Sequence, residues 1–415
     1  MVKKIKNLLL FLLAFNLNSN DFVIEGKTVE ADQSMVVTRH YLASKVGNEI
    51  LMKGGNAVDA SIAISFALSV VLPQASPIGG GGFMIIYDAK SGNNFALDYR
   101  EMAPSAATVD MFIVDGKVDR RLALESYLSS GTPGTIHGLY LAHQRFGSLP
   151  WNELVKPAID LADNGFIVTN TLAKSLDKET NRRKLSNTSD GKEIFFRDNE
   201  PLKEGMILFQ KDLAKTLNLI SNFGSDGFYK GTVAQKIHSD MKKNNGLITL
   251  TDLNNYKAKF REPIEFTYRD IKIVTMPPPS SGGLLLGLMF NILENINLDK
   301  SDPHTAKNIL KISEIMQIAY SLRSVHLADP DFYPVPKDGF LNKDIAKELL
   351  LSINDIKTST SEDFNPENLK IKENTTHYSV VDKYGNAVST TTTLNTAYGS
   401  GIVIKDTGLL MNNEM

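Results

Sequence analysis

Residues 374–393 read NTTHYSVVDKYGNAVSTTTT, two runs rich in β-branched side chains on either side of a turn. β-Branched residues favour strands and Asp382 to Asn386 favour a tight reversal, so the stretch predicts an antiparallel hairpin. If the turn centres on Tyr384, Thr375 lies directly opposite Thr393. Opposed Cβ atoms are about 5 Å apart, which lets the two hydroxyl groups share a hydrogen bond. A register slip of one residue would destroy this pairing.

The position of Thr375 suggests self-cleavage. Residues 354–374 are rich in Lys, Glu, Ser, Thr and Asn, which predicts an exposed linker, and the strand begins directly after it. If the Thr375 hydroxyl attacks the carbonyl of Asn374, cleavage leaves Thr375 as a new amino terminus. A free α-amine, with a pKa of about 7.7 to 8.0, can serve as the base for its own hydroxyl. Threonines also suit an ordinary strand, so spacing alone leaves both interpretations open.

The rest of the chain alternates helical and strand patterns. The residues before the hairpin predict two helices, 41–53 and 57–72, then strands 84–87 and 94–99 and a helix 284–293. The charge-rich interval 178–203 predicts a surface loop. This order favours a layered α+β or α/β domain.

Composition narrows the functional classes. The chain has 415 residues, 42% of them hydrophobic, and a formal net charge of -2, so it is globular and offers no basic surface for nucleic acid. It has no cysteine, and its seven histidines form no metal-binding pattern. The glycine run 79–82 lacks phosphate-loop spacing, so close backbone packing is the better interpretation. A small-molecule or peptide substrate is predicted, with no metal and no cofactor.

The amino terminus resembles an export signal. Lys3, Lys4 and Lys6 precede the apolar run 8–15, the order found in secretory leaders, which predicts a signal peptide over about residues 1–20. An uncleaved anchor is the alternative. No later window has the length and apolarity of a membrane span, so we expect a soluble periplasmic or secreted protein with no stable membrane partner.

Five motifs then resemble one family, the γ-glutamyltransferases (γ-glutamyltranspeptidases), which are N-terminal nucleophile hydrolases. In chain order they are GGNAVDA at 54–60, GGGGF at 79–83, DYREMAP at 98–104, PPSSGG at 278–283, and NTTHYSVVD at 374–382 with its downstream TLNT at 393–396. The last is the most specific. The resemblance implies an α+β fold, a four-layer αββα sandwich.

The resemblance implies a role for each matching residue. Thr375 would be the nucleophile, with autocleavage between Asn374 and Thr375, and Thr393 would be its hydroxyl partner. Arg100 and Asn395 would bind the substrate α-carboxylate, and Glu414 the α-amino group. The residue types suit these roles, because a guanidinium grips a carboxylate through two parallel hydrogen bonds.

Three of these assignments have simpler alternatives, and without the motif Asn395 and Glu414 would be ordinary polar residues at strand ends. Without the motif, Arg100 would be expected to form an exposed ion pair with Asp98 or Glu101. His377, two residues beyond the predicted nucleophile, is more often a hydrogen-bonded core residue than part of a catalytic triad.

The implied activity is transfer of a γ-glutamyl group from glutathione and related compounds to water, amino acids or dipeptides. The implied organisation is a large subunit 21–374 and the start of a small subunit 375–415, paired as a heterodimer after cleavage. Family members continue beyond NNEM at 412–415, so we expect a truncated small subunit, an incomplete sandwich and an apolar edge strand over 401–411. The alternatives are a glutaryl or cephalosporin acylase of the same fold and an inactive pseudoenzyme.

Overall fold

The computed structural model describes residues 29–298, 304–351, 353 and 373–415. The predicted leader and residues 354–372 of the predicted linker lie outside the described residues. Residues from Ser34 to Met415 belong to one unit, which contains every element and contact discussed below.

A six-stranded antiparallel sheet contains the predicted hairpin as two of its internal strands. Its order is β1-β13-β14-β2-β3-β10. The strands are β1 (Met35–Val37), β2 (Gly81–Asp88), β3 (Asn93–Tyr99), β4 (Ile113–Val114), β5 (Lys117–Val118), β6 (Phe166–Ile167), β7 (Phe196–Arg197), β8 (Glu200–Pro201), β9 (Ile207–Leu208), β10 (Lys259–Arg261), β11 (Ile264–Tyr268), β12 (Ile271–Thr275), β13 (Glu373–Val381), β14 (Ala387–Thr396), β15 (Val403–Ile404) and β16 (Leu409–Leu410).

Many helices surround this sheet, and a 3-10 turn spans Tyr127–Ser129. The helices are α1 (Tyr41–Met52), α2 (Ala57–Val71), α3 (Arg120–Glu125), α4 (Thr135–Phe146), α5 (Trp151–Asn164), α6 (Asn170–Leu176), α7 (Glu179–Leu185), α8 (Ser189–Phe195), α9 (Lys211–Phe223), α10 (Asp226–Tyr229), α11 (Gly231–Lys243), α12 (Leu250–Asn255), α13 (Gly282–Leu293), α14 (Ala306–His326), α15 (Lys337–Leu341) and α16 (Lys343–Leu350). The predicted α+β class is confirmed.

Helix α2 packs on one face of the sheet and is buried along its whole length, as its apolar composition predicts. Asn56 caps it and forms a capping box with Asp59. The backbone N–H of Ala57 donates to the Asp382 carboxylate at 2.8 Å, which ties the start of α2 to the hairpin turn.

The hairpin β13–β14 has the predicted register, with Thr375 opposite Thr393. Asp382 organises the turn, because its Oδ1 accepts hydrogen bonds from the backbone N–H groups of Tyr384 and Asn386 at 2.8 and 3.0 Å. The hydrogen bonds that form the turn thus join residues close together in the sequence. They set the register of the hairpin, so that Thr375 faces Thr393, eighteen residues further along the chain.

Alternate residues of β13 face opposite sides of the sheet. Tyr378 and Val380 are buried on the side of α2, where the Tyr378 hydroxyl donates to the carbonyl of Ser61 at 3.0 Å. Thr375 and His377 are exposed on the other side. The predicted nucleophile thus lies on the face of the sheet that α2 leaves open.

Most predicted elements near the amino terminus are confirmed, with small shifts. Helices α1 and α2 each end one residue earlier than predicted, and β2 begins at Gly81, which brings part of the glycine run into the sheet.

The predicted surface loop over 178–203 is wrong. Helices α7 and α8 and the strand pair β7–β8 occupy this interval. Leu185 and Phe195 are fully buried in the main core, so a few well-spaced apolar side chains outweigh the polar composition.

The single exposed edge strand predicted over 401–411 is also wrong. The segment forms two short paired strands, β15 and β16, and their four residues are buried. It packs against α9, where the Thr216 hydroxyl donates to the carbonyl of Thr407 at 2.8 Å. Helices α8 and α11 also pack against β15, so the apolar residues are covered and do not form an open edge.

A second apolar cluster joins the hairpin β11–β12 to helices α13 to α16.

In the part of the chain that the structure describes, every helix is too short or too polar to cross a membrane.

Candidate active site

Two threonine hydroxyls meet at the start of the hairpin. Thr375 Oγ1 lies 3.2 Å from Thr393 Oγ1, and Thr393 Oγ1 also accepts a hydrogen bond from the backbone N–H of Asn395 at 2.8 Å. Thr393 is 5% exposed, whereas Thr375 is open to solvent. The peptide bond between Asn374 and Thr375 lies where the ladder shifts register. The geometry suits an accessible nucleophile beside a fixed hydroxyl partner.

The glycine run lies directly against Thr393. Gly81 is the register partner of Thr393, and a Cβ atom added to Gly80 would lie 2.1 Å from the carbonyl oxygen of Thr393. The carbonyl of Gly80 accepts hydrogen bonds from the backbone N–H groups of Gly134 and Thr135 at 2.9 and 3.1 Å. These contacts confirm the interpretation of close backbone packing.

Arg100 and Glu414 form a two-point ion pair. Arg100 Nη1 donates to Glu414 Oε1 at 3.0 Å and Nη2 donates to Oε2 at 2.6 Å. The alternative partners are engaged differently, since Asp98 accepts from Arg261 Nε at 2.7 Å and the nearest Glu101 oxygen is 3.7 Å from Arg100 Nη1. Burial alone would lower the pKa of Arg100, but the charges of Glu101 and Glu414 outweigh it and raise the pKa.

Asn395 links the hydroxyl pair to the ion pair. Its side-chain Nδ2 donates to the carbonyl of Asn413 at 2.9 Å, and Asn413 directly precedes Glu414. Asn395 has a φ of +76°, a left-handed conformation that asparagine tolerates better than most residues. A continuous chain of contacts and adjacent residues therefore runs through the predicted site residues Thr375, Thr393, Asn395, Glu414 and Arg100.

Two asparagines that were assigned no role from the sequence hold this arrangement. Asn412 Nδ2 donates to the carbonyls of Gly79 and Gly131 at 2.9 and 2.8 Å, and Asn413 Nδ2 donates to the carbonyl of Leu124 at 2.8 Å. Both asparagines are buried. They precede Glu414 in one of the stretches that resembles the family, but nothing local predicts that their partners lie so far away in the chain.

Glu101 is a second residue that the sequence did not single out. Its side chain is 2% exposed, and both carboxylate oxygens are buried without a hydrogen-bond partner among the described residues. Desolvation raises the pKa of Glu101 to about 8, even though Arg100 opposes the shift. The Glu101 carboxyl group therefore stays protonated to a higher pH than an ordinary glutamate. It lies beside Arg100 and packs against Gly81.

We predict that Glu101 makes stability depend on pH. The folded protein keeps a proton that the unfolded chain releases above a pKa of about 4.5, so the free energy of unfolding should fall as pH rises towards 8. Glu101→Gln removes this ionisation. Denaturant unfolding curves of the variant and the wild type should nearly coincide near pH 5, and the variant should be more stable by about 1–3 kcal/mol at pH 8.

The surface variant Glu200→Gln, whose partner is Arg182, is the control and should show no such divergence. A stability difference between Glu101→Gln and the wild type that is the same at both pH values would contradict the prediction.

His377 lies on the same face as Thr375 but bonds elsewhere. Its Nδ1 is 2.8 Å from Thr391 Oγ1 and its Nε2 is 3.0 Å from Ser389 Oγ. The predicted hydrogen-bonded role is confirmed, but the ring is exposed and not part of the core. Partial burial lowers its pKa.

Across the described ranges, no group of three or more His, Asp or Glu residues is placed to hold a metal ion.

Solved structures with the same fold confirm the class of protein. The chain is similar to the crystal structure of Helicobacter pylori gamma-glutamyltranspeptidase, with 41% identity and a TM-score of 0.77 over 84% of this chain and 99% of that chain. It is also similar to the crystal structure of cephalosporin acylase from Bacillus halodurans, with 27% identity and a TM-score of 0.83 over 96% and 72% of the two chains. Both likenesses support an α+β N-terminal nucleophile hydrolase fold.

Sequence comparison then gives the family. The sequence model of gamma-glutamyltranspeptidase matches residues 43–415. The glutathione hydrolase proenzyme of Escherichia coli (strain K12) is 47% identical over 390 residues, which are 93% of this chain and 67% of that protein. This chain belongs to the gamma-glutamyltranspeptidase family, and the prediction of an enzyme of this family is confirmed.

Proposed function

We propose that this protein is a self-cleaving γ-glutamyltransferase and glutathione hydrolase. The observation that carries the proposal is the Thr375–Thr393 hydroxyl pair, connected through Asn395 to the Arg100–Glu414 ion pair. The name of the Escherichia coli relative, a glutathione hydrolase proenzyme, supports glutathione and other γ-glutamyl compounds as donors. Water, amino acids or dipeptides would be the acceptors.

In the proposed maturation, Thr375 cleaves its own peptide bond. Its Oγ attacks the carbonyl carbon of Asn374, the C–N bond breaks, and the hydroxyl proton ends on the new Thr375 amine. Water then hydrolyses the resulting ester, leaving a carboxylate on Asn374 and restoring the Thr375 hydroxyl. The register shift at this bond supports the assignment, because irregular positions in a ladder recur next to active sites.

In the proposed turnover, the Thr375 amine takes the hydroxyl proton as Oγ attacks the γ-carbonyl of the donor. The proton passes to the leaving amine, cysteinylglycine in the case of glutathione, and a γ-glutamyl ester on Thr375 remains. Water or an acceptor amine then attacks this ester. Arg100 and Asn395 would hold the α-carboxylate of the donor and Glu414 its α-amino group.

We also propose that the two products of cleavage, 21–374 and the small-subunit segment that begins at Thr375, stay together as large and small subunits. Strand β13 pairs with β1, and β14 pairs with β2, so the cleaved segment is hydrogen-bonded to the large subunit on both sides. The Asp382 contact to Ala57 adds a third connection. Export to the periplasm or the medium is proposed from the leader-like residues 1–20 alone.

The donor class can be tested by rates on two anilides that differ only in the α-amino group. We expect hydrolysis of the γ-glutamyl anilide to exceed that of the glutaryl anilide by about tenfold or more, because the glutaryl compound leaves the Glu414 carboxylate without a cationic partner. Faster glutaryl hydrolysis would favour the acylase alternative, which the likeness to cephalosporin acylase keeps relevant. Glutathione binding without turnover of either anilide would favour a pseudoenzyme.

A further inference from the structure

Lys184 is a buried lysine that contacts the residues directly after Asn395 of the candidate active site. It lies in α7, is 6% exposed, and its Nζ donates to Thr396 Oγ1 at 3.0 Å and to the carbonyl of Ala397 at 2.9 Å. Both partners are neutral. Among the described residues no carboxylate forms an ion pair with this ammonium group, because the nearby Glu125 is bonded to Arg183.

Such a charge is costly to bury. Desolvation lowers the pKa of Lys184 to about 8, with Arg183 acting in the same direction and Glu125 opposing it. An apolar side chain of similar length would avoid this cost, so stability does not explain a lysine here. Compared with an apolar side chain, the ammonium group contributes two hydrogen bonds, one to Thr396 and one to Ala397.

The segment that Lys184 holds has an unusual backbone. Between residues 395 and 401, positive φ angles occur at Asn395 (+76°), Tyr398 (+60°), Gly399 (+54°) and Gly401 (+76°). A left-handed conformation at a residue other than glycine is disfavoured and persists only when its surroundings impose it. The segment therefore depends on contacts from outside.

Thr396 is where those contacts converge. Its hydroxyl accepts from Lys184 Nζ and from Asn413 Nδ2 at 2.9 Å, and it donates to the carbonyl of Gly399 at 3.1 Å. One donor and two acceptor sites are thus all in use. Its neighbour Asn395 makes the two bonds that connect Thr393 to Asn413.

We propose that Lys184 is a positioning residue that fixes the backbone of residues 395–401 and thereby orients Asn395 against Thr393. The effect on the backbone stands on these contacts alone. The effect on substrate rests on the proposed function, because there Asn395 binds the α-carboxylate.

The test is Lys184→Met, with hydrogen exchange measured by mass spectrometry on the full chain. We expect the backbone amides of Tyr398, Gly399 and Gly401, which are hydrogen-bonded in the structure, to exchange about tenfold faster than in the wild type. Amides of the hairpin over 376–392 should be unchanged. The matched control is Lys192→Met, an exposed lysine in α8, which should behave as the wild type.

Turnover provides the second measurement. In Lys184→Met, KM for the γ-glutamyl anilide should rise about tenfold while kcat changes little, because a looser Asn395 weakens binding of the donor more than the attack by Thr375. Unchanged exchange at residues 398–401 would overturn the proposal. Faster exchange with unchanged KM would overturn the role in the site.

Two further outcomes are separable. If exchange rises across the hairpin as well, Lys184→Met has disturbed the fold, and Lys184→Gln, whose shorter side chain ends in an uncharged amide in place of the ammonium group, replaces it with the same criteria. If the wild-type chain turns over neither anilide, the proposed function fails, while exchange at residues 398–401 still decides whether Lys184 fixes the segment.

Discussion

Thr375→Ala is expected to leave the chain uncleaved and to abolish turnover of the γ-glutamyl anilide. The variant removes the only atom proposed to attack both the Asn374 carbonyl and the donor. The fold should be retained, because Thr375 is exposed and, among the described residues, its hydroxyl group is hydrogen-bonded to Thr393 Oγ1 alone. A denaturing gel should show a single full-length band for the variant and two fragments for the wild type.

Thr376→Val is the matched control. Thr376 is the next residue on the strand, is 2% exposed on the side of α2, and its hydroxyl has no hydrogen-bond partner among the described residues. Replacing that hydroxyl by a methyl group should leave cleavage and turnover intact. Thr375→Ser should keep cleavage, since it keeps the hydroxyl. Cleavage of the bond between residues 374 and 375 in Thr375→Ala would contradict the proposed mechanism.

The hairpin could be predicted because its information is local. Asp382 and the residues after it form the turn, and the turn determines that Thr375 faces Thr393. Helix α2 could be predicted for the same reason, since its cap at Asn56 directly precedes its apolar run in the sequence. In both cases the deciding contacts lie within a few residues of one another.

The contacts that build the site could not be predicted in this way. Arg100 and Glu414 are 314 positions apart, and the family resemblance assigned each a role towards the substrate without indicating that they bond to each other. Lys184 was missed for a different reason. A lysine in a polar interval is normally exposed, so its burial depends on apolar neighbours such as Leu185 that place α7 in the core.

The ion pair has a consequence for binding. In this structure the Arg100 and Glu414 charges neutralise each other, and their side chains are 30% and 12% exposed. An α-amino acid group carries both charges, so it can separate the pair and give each side chain a new partner. A dicarboxylate without the amino group can engage Arg100 only by leaving Glu414 unpaired and partly buried, which is costly.

Glu414→Gln should therefore change the two ligand classes in opposite directions. The α-ammonium group of glutamate loses its anionic partner, so glutamate should bind more weakly, whereas glutarate no longer competes with Glu414 for Arg100 and should bind more tightly. We expect the preference for glutamate over glutarate to fall by about 100-fold, in line with the cost of truncating one partner of a buried charge pair. Inhibition constants of both ligands against the γ-glutamyl anilide provide the measurement.

Glu200→Gln is the control, because it breaks the well-exposed Arg182–Glu200 pair and should alter neither inhibition constant. Weaker binding of both ligands to Glu414→Gln would contradict the prediction, since it would mean that Glu414 supports Arg100 and does not compete with the substrate carboxylate. Arg100→Lys separates the cases further. A lysine keeps the charge but loses the two-point contact, so both ligands should weaken together.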